Sequence, residues 1–219
     1  MSDPKMPCKL VVLLSGNGSN LQAIIDQIDS GQLNAGIVGV ISDKQDAYGI
    51  ERAAKHHIPT TTVIANSGET RETYDARLQK AIDSYQPDWI IMAGFMRILS
   101  DALVERYLGR LINIHPSLLP KYKGLNTHQR VLQAGEIQHG ASVHFVTPTL
   151  DDGPVIMQDK IPVKPDETAD ELKQRVHQIE HRIYPDVVQL LCQQRLRFMH
   201  GQVLFDGKSS SNPLTPEAR

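Results

Sequence analysis

A chain of 219 residues with 40 % hydrophobic and 22 % charged side chains has the length and composition of one globular domain with a sizeable core. Its formal net charge of −2 offers no basic field to a nucleic acid. No apolar run reaches the ~20 residues of a bilayer span, and the opening MSDPKMP lacks the apolar stretch of a secretory signal, so the expectation is a cytoplasmic chain with no membrane partner. Cys8 and Cys192 stand far apart and read as reduced thiols, neither a disulfide framework nor a zinc site.

In chain order, β-branched apolar runs predict strands over 9–15, 37–42, 60–65, 88–93, 111–115, 141–147 and 154–163. Helical patterns predict helices over 19–30, 46–57, 70–85, 100–107, 127–135 and 167–196. This alternation implies an α/β fold: a mostly parallel twisted sheet of about seven strands, flanked by helices and Rossmann-like in its N-terminal half. The turn-like TPTLDDG leaves no room for a helix between the last two strands, which therefore form an antiparallel hairpin at one edge. Residues 1–7 are expected to be a flexible start. Residues 8–205 form one domain, with a phosphate-binding half over about 8–110 and a catalytic half over about 111–205. Residues 206–219 (DGKSSSNPLTPEAR) read as a disordered tail.

The first strand runs into SGNGSNLQAII, residues 15–25. Gly16 and Gly18 allow a tight turn that exposes backbone N–H groups, and Ser19 and Asn20 open a helix whose N-terminus attracts an anion. Leu21 stands where a dinucleotide fingerprint needs its third glycine, so Gly16, Asn17, Gly18, Ser19 and Asn20 suit a phosphate monoester better than a pyrophosphate. An ordinary turn with Ser19 as helix cap is the competing explanation.

Further along, NIHPSLLP (113–120) places Asn113 and His115 two apart at the end of a strand, hence on one face, before Pro116 stops it. An amide donor beside an imidazole is either a site or a pair of solvated side chains at a strand mouth. His128 is ambiguous, and His144 reads as a hydrogen-bonded strand histidine. Asp151 and Asp152 lie in a turn, LDDGP, where Asp is common for conformational reasons alone. HQIEH (177–181) matches H-x-x-E-H, a zinc-protease pattern, but no third ligand follows it. A polar helix face, with Glu180 reaching a bound sugar, is the preferred explanation, and no metal is expected.

Taken together, SGNGSNLQAI (15–24), AGFMRIL (93–99), NIHPSLLPKY (113–122) and SVHFVT…LDxGP (142–154) resemble the phosphoribosylglycinamide formyltransferases, folate-dependent enzymes of purine synthesis. The resemblance covers about residues 8–200. It implies transfer of the formyl group of 10-formyltetrahydrofolate, the co-substrate, to the amine of glycinamide ribonucleotide. It assigns catalysis to Asn113, His115 and Asp151, the acid after Leu150. It places the substrate phosphate on Gly16–Asn20 and the ribose near Glu180. The folate falls to Met96, Arg97, Ile98, Leu99, Asn113, Thr147, Leu150 and Asp151, with Arg71 in TRETYD at a position near it. The implied state is a monomer or homodimer. Three positions depart from the family pattern: Lys123 and Asn126 stand for a frequent proline and histidine, and Asp152 for a frequent glycine.

These assignments suit the chemistry. Attack on a formyl carbon generates a tetrahedral oxyanion that needs donors. An asparagine amide donates without titrating, while a protonated imidazole donates strongly and can pass a proton to the leaving nitrogen. A carboxylate orients such an imidazole and favours its charged form. The rivals are a formyltetrahydrofolate hydrolase, which normally carries an extra N-terminal domain, and another formyl-folate transferase such as the methionyl-tRNA enzyme, with its basic C-terminal domain. A non-catalytic nucleotide-binding module would use the Gly-rich loop but not Asn113, His115 and Asp151 together.

Overall fold

The computed structural model describes residues 7–210 and 212–218; the expected flexible start lies outside them except for Pro7. Seven strands form one mostly parallel sheet, and three more form a separate antiparallel sheet. The chain divides into two compact units, one ending at Leu103 and one beginning at Val104. Among the described residues no helix is long and apolar enough to cross a membrane.

The first unit alternates strand and helix: β1 (Cys8–Leu14), α1 (Ser19–Asp29), β2 (Ala35–Ser42), α2 (Tyr48–Lys55), β3 (Thr60–Thr62), α3 (Arg71–Ser84) and β4 (Trp89–Met92). β1 pairs in parallel with β2 on one side and β4 on the other, and β2 pairs in parallel with β3. Leu10 to Leu14 are completely buried, which explains why β1 is a continuous apolar run rather than an alternating one. The third strand is half as long as expected. The Val63 N–H still donates to the Ser42 carbonyl at 2.8 Å, and residues 64–65 leave the sheet where β2 ends.

The second unit contains β5 (Leu111–His115), α5 (Thr127–Gln133), β6 (Gln138–Phe145), β7 (Val155–Pro162) and α6 (Ala169–Cys192); α4 (Asp101–Arg106) spans the boundary. The β6–β7 hairpin is antiparallel, as the sequence implies. β5 and β6 are also antiparallel, which the sequence pattern did not disclose: a helix between two strands looks like a parallel crossover, but α5 lies in an antiparallel connection. α6 packs on β6 and β7 through an apolar stripe that includes Leu172, Val176, Ile179 and Ile183. Its start is fixed by a capping box, Thr168 accepting from the Glu171 N–H while the Glu171 carboxylate accepts from Thr168.

Beyond α6 the structure departs from the expected helix end and disordered tail. Residues 196–209 form β8 (Leu196–Met199), β9 (Gln202–Phe205) and β10 (Lys208–Ser209), an antiparallel meander. Leu214 is buried and pairs with Met157 of β7, ahead of a short 3-10 turn at Pro216–Ala218. An apolar anchor 22 residues past α6 is what the tail's polar composition concealed.

Candidate active site

Cross-strand register builds the centre of the second unit. Asn113 lies opposite His144, and His115 opposite Ser142, so these four side chains share one face of β5 and β6. The Asn113 amide nitrogen is 3.2 Å from His144 Nε2. His144 Nδ1 lies 2.9 Å from the Phe145 carbonyl, to which it donates, leaving Nε2 to accept from Asn113. That tautomer requires a neutral ring. Burial holds His144 below its usual value, and nearby His115 acts in the same direction, against the Phe145 carbonyl and Asp151.

Asp151 closes the arrangement from the turn after β6. Its φ of 49° turns the residue inward, and it is 9 % exposed. Oδ2 lies 3.4 Å from His115 Nδ1 and accepts from the Gly124 N–H at 2.9 Å; Oδ1 lies 3.7 Å from His144 Nε2. The other His115 nitrogen, Nε2, is 2.9 Å from the Tyr122 carbonyl. Both ring nitrogens therefore face acceptors, and a ring carrying both protons satisfies both. Thus the second unit brings Asn113, His115 and Asp151 together. It adds His144, the hydrogen-bonded strand histidine of the sequence reading, to which no part in the site was given, together with Tyr122 and Gly124, which sequence reasoning left out. The alternation Asn113/His115 against Ser142/His144 was a usable signal for His144, had β5 and β6 been paired as antiparallel.

The three departures from the family pattern are local. Lys123 and Asp152 form an ion pair with each other, both partly exposed. Asn126 sits at the N-cap of α5 with φ 57°, a left-handed conformation that Asn tolerates better than most residues. Leu150 is half exposed, and Thr147 lies at the mouth of the same turn.

In the first unit, Gly16–Asn20 links β1 to α1. Gly18 caps the helix at φ 73°, and no side chain accepts at the cap, so Ser19 is not the helix cap: it is the first helical residue. The segment after β4 joins this loop. The Ser15 N–H donates to the Gly94 carbonyl at 3.0 Å, and the Met96 N–H donates to the Ser15 hydroxyl at 2.8 Å. Met96 and Ile98 are 64 % and 53 % exposed while Leu99 is buried, so the segment presents an apolar surface. The Arg97 guanidinium lies over the Tyr74 ring, 3.9 Å from its centroid. Arg71 is the first residue of α3 and is exposed.

HQIEH behaves as a helix face. Glu180 is buried, and the His177 and His181 rings lie 6.0 Å apart in a stacked arrangement. Among the described residues no group of three His, Cys, Asp or Glu is placed to hold a metal ion.

The model of the formyl transferase family matches residues 8–188. The chain belongs to that family. It is 50 % identical to phosphoribosylglycinamide formyltransferase of Escherichia coli K12 over 199 residues, covering 91 % of this chain and 94 % of the relative. The Haemophilus influenzae enzyme of the same name is 41 % identical over 201 residues, covering 92 % and 95 %. Among solved structures, a phosphoribosylglycinamide formyltransferase of Coxiella burnetii superposes with a TM-score of 0.91 at 50 % identity, covering 95 % of this chain and 99 % of that one.

Proposed function

We propose that this chain transfers the formyl group of 10-formyltetrahydrofolate to the amine of glycinamide ribonucleotide, giving formylglycinamide ribonucleotide and tetrahydrofolate. The observation that carries the chemistry is the buried His115–Asp151 pair with Asn113 beside it on the same strand face. The whole-length likeness to formyltransferases of that name directs it to this substrate pair.

The amine nitrogen attacks the formyl carbon, and its carbonyl oxygen becomes an oxyanion. Asn113 donates to that oxygen from an amide already fixed by its bond to His144. His115 supplies the second donor. Its Nε2–H lies on the neutral Tyr122 carbonyl; the developing oxyanion, a much stronger acceptor, takes the place of that carbonyl as charge builds. The exchange favours the transition state over the ground state, which is what accelerates the step. Asp151 keeps the ring oriented and its charge balanced through Nδ1, while the Gly124 N–H fixes the carboxylate. Collapse of the intermediate breaks the C–N bond to the folate. The leaving nitrogen takes a proton from His115, and the attacking nitrogen, cationic after addition, returns one to the same ring, so the imidazole ends as it began.

The substrate phosphate goes to Gly16–Asn20 and the ribose to Glu180. The folate goes to Met96–Leu99, Arg71 and the 147–151 turn. The chain works in the cytoplasm without a metal, as a monomer or homodimer. Absorbance of tetrahydrofolate product, followed with and without glycinamide ribonucleotide, tests the reaction. Product that depends on the acceptor is expected; equal product without it would make the protein a hydrolase.

A further inference from the structure

Three successive carbonyls of the Gly16–Gly18 turn are each held by a hydrogen bond. The Gly16 carbonyl accepts from the Gly49 N–H at 3.0 Å, the Asn17 carbonyl from Arg52 Nε at 2.9 Å, and the Gly18 carbonyl from the Gln22 N–H at 3.0 Å. A trans peptide points its N–H opposite to its C=O. The N–H groups of Asn17, Gly18 and Ser19 are therefore each aimed away from these anchors. Two of the three anchors come from α2, and Arg52 carries most of the load. Besides Asn17 O, its Nη2 donates to Asn17 Oδ1 at 3.1 Å and its Nη1 to Gln22 Oε1 at 3.2 Å. The guanidinium also lies over the Tyr48 ring, 4.8 Å from its centroid. Gly18 lets α2 approach closely enough for this, since a Cβ on it would stand 2.6 Å from the Gly49 Cα.

We propose that Arg52 is a positioning residue for the substrate phosphate: its planar fork grips both oxygens of Asn17 and the Gln22 amide, and so sets the direction of the loop's N–H groups. Its charge is spent on the loop and the Tyr48 face, and it does not pair with the phosphate. This rests on the assignment of the substrate phosphate to Gly16–Asn20.

Two variants separate shape from charge. Arg52→Met keeps the aliphatic stem and removes every donor, whereas Arg52→Lys keeps the charge and loses the fork. Both are expected to raise KM for glycinamide ribonucleotide about tenfold, roughly the worth of one charge-assisted hydrogen bond. KM for the folate and kcat should stay within twofold of the parent, and inorganic phosphate should weaken in parallel as a competitor of glycinamide ribonucleotide. Restoration of the parental KM by Arg52→Lys would overturn the proposal in favour of simple charge attraction. Unchanged KM in both variants, or equal losses for both substrates with a matching fall in thermal midpoint, would overturn it too. If phosphate fails to compete on the parent protein, the loop is not the phosphate site, and that result is visible before any variant is made.

Discussion

Asp151 and Asp152 are adjacent in the chain yet have different neighbours. Asp151 is turned inward onto His115 and the Gly124 N–H, and Asp152 pairs with Lys123 at the surface. Removing the inner carboxylate leaves His115 Nδ1 and the Gly124 N–H without their charged acceptor in a buried place. Asp151→Asn should therefore cut kcat by ~100-fold or more, with the circular dichroism spectrum retained. Asp152→Gly loses an exposed ion pair of about 0–1 kcal/mol and should keep kcat within a few-fold. Steady-state kinetics on the two variants decide the matter: activity lost with Asp152→Gly and kept with Asp151→Asn would reverse the roles. Asn113→Ala removes one oxyanion donor and exposes His144 Nε2 to an empty space, so a ~100–1,000-fold fall in kcat is expected. A variant within a few-fold of the parent would make the amide a structural bridge between β5 and β6.

Elements differ in how openly their sequences announce them. β1, β2 and β4 were legible because a parallel strand buried on both faces is an unbroken apolar run bounded by polar turns. The direction of β6 was not, since pattern alone does not distinguish a short helix in an antiparallel connection from a crossover. The β8–β9 hairpin was missed for a different reason: its turn is His200-Gly201, with φ 49° and 75°, a pair of left-handed residues joining strands without the familiar Asn-Gly. A β-branched residue at 201 cannot adopt that φ comfortably, so Gly201→Val should lower stability by about 1–3 kcal/mol while leaving KM for both substrates in place. Urea midpoints and kinetics measured on the same preparation check both halves of this expectation. Gly18→Val tests the opposite case, an element that serves ligand more than stability. The left-handed φ and the nearby Gly49 backbone both oppose a Cβ. KM for glycinamide ribonucleotide should rise far more than KM for the folate, and equal effects would detach the turn from the phosphate.

For the whole molecule, the half-buried His128 and the buried His139 contribute to how the fold responds to acid. His128 Nδ1 lies 3.0 Å from His139 Nε2, one ring edge-on to the other, so one nitrogen donates and the other accepts. That bond needs an unprotonated acceptor. Burial is the main reason both rings are pushed down to about 4; neighbouring positive charge adds to it, from His139, His177, Lys173 and His115 for His128 and from His115 for His139, with Glu167 partly opposing at His139. In the unfolded chain the same rings titrate near 6.5. Between about pH 6.5 and pH 4 the unfolded state thus binds more protons than the folded one, and stability must fall as pH falls through that window. Above it the pair contributes no slope. None of this was legible in the sequence, where His128 and His139 are eleven residues apart and only the antiparallel return of β6 brings them together. Urea denaturation at pH 7.5, 6.0 and 4.5 should show the midpoint dropping chiefly over the second step, from pH 6.0 to 4.5. His128→Phe, which removes the titrating ring but keeps an aromatic in its place, should flatten that dependence. A slope as steep in His128→Phe as in the parent would assign the acid sensitivity to other groups.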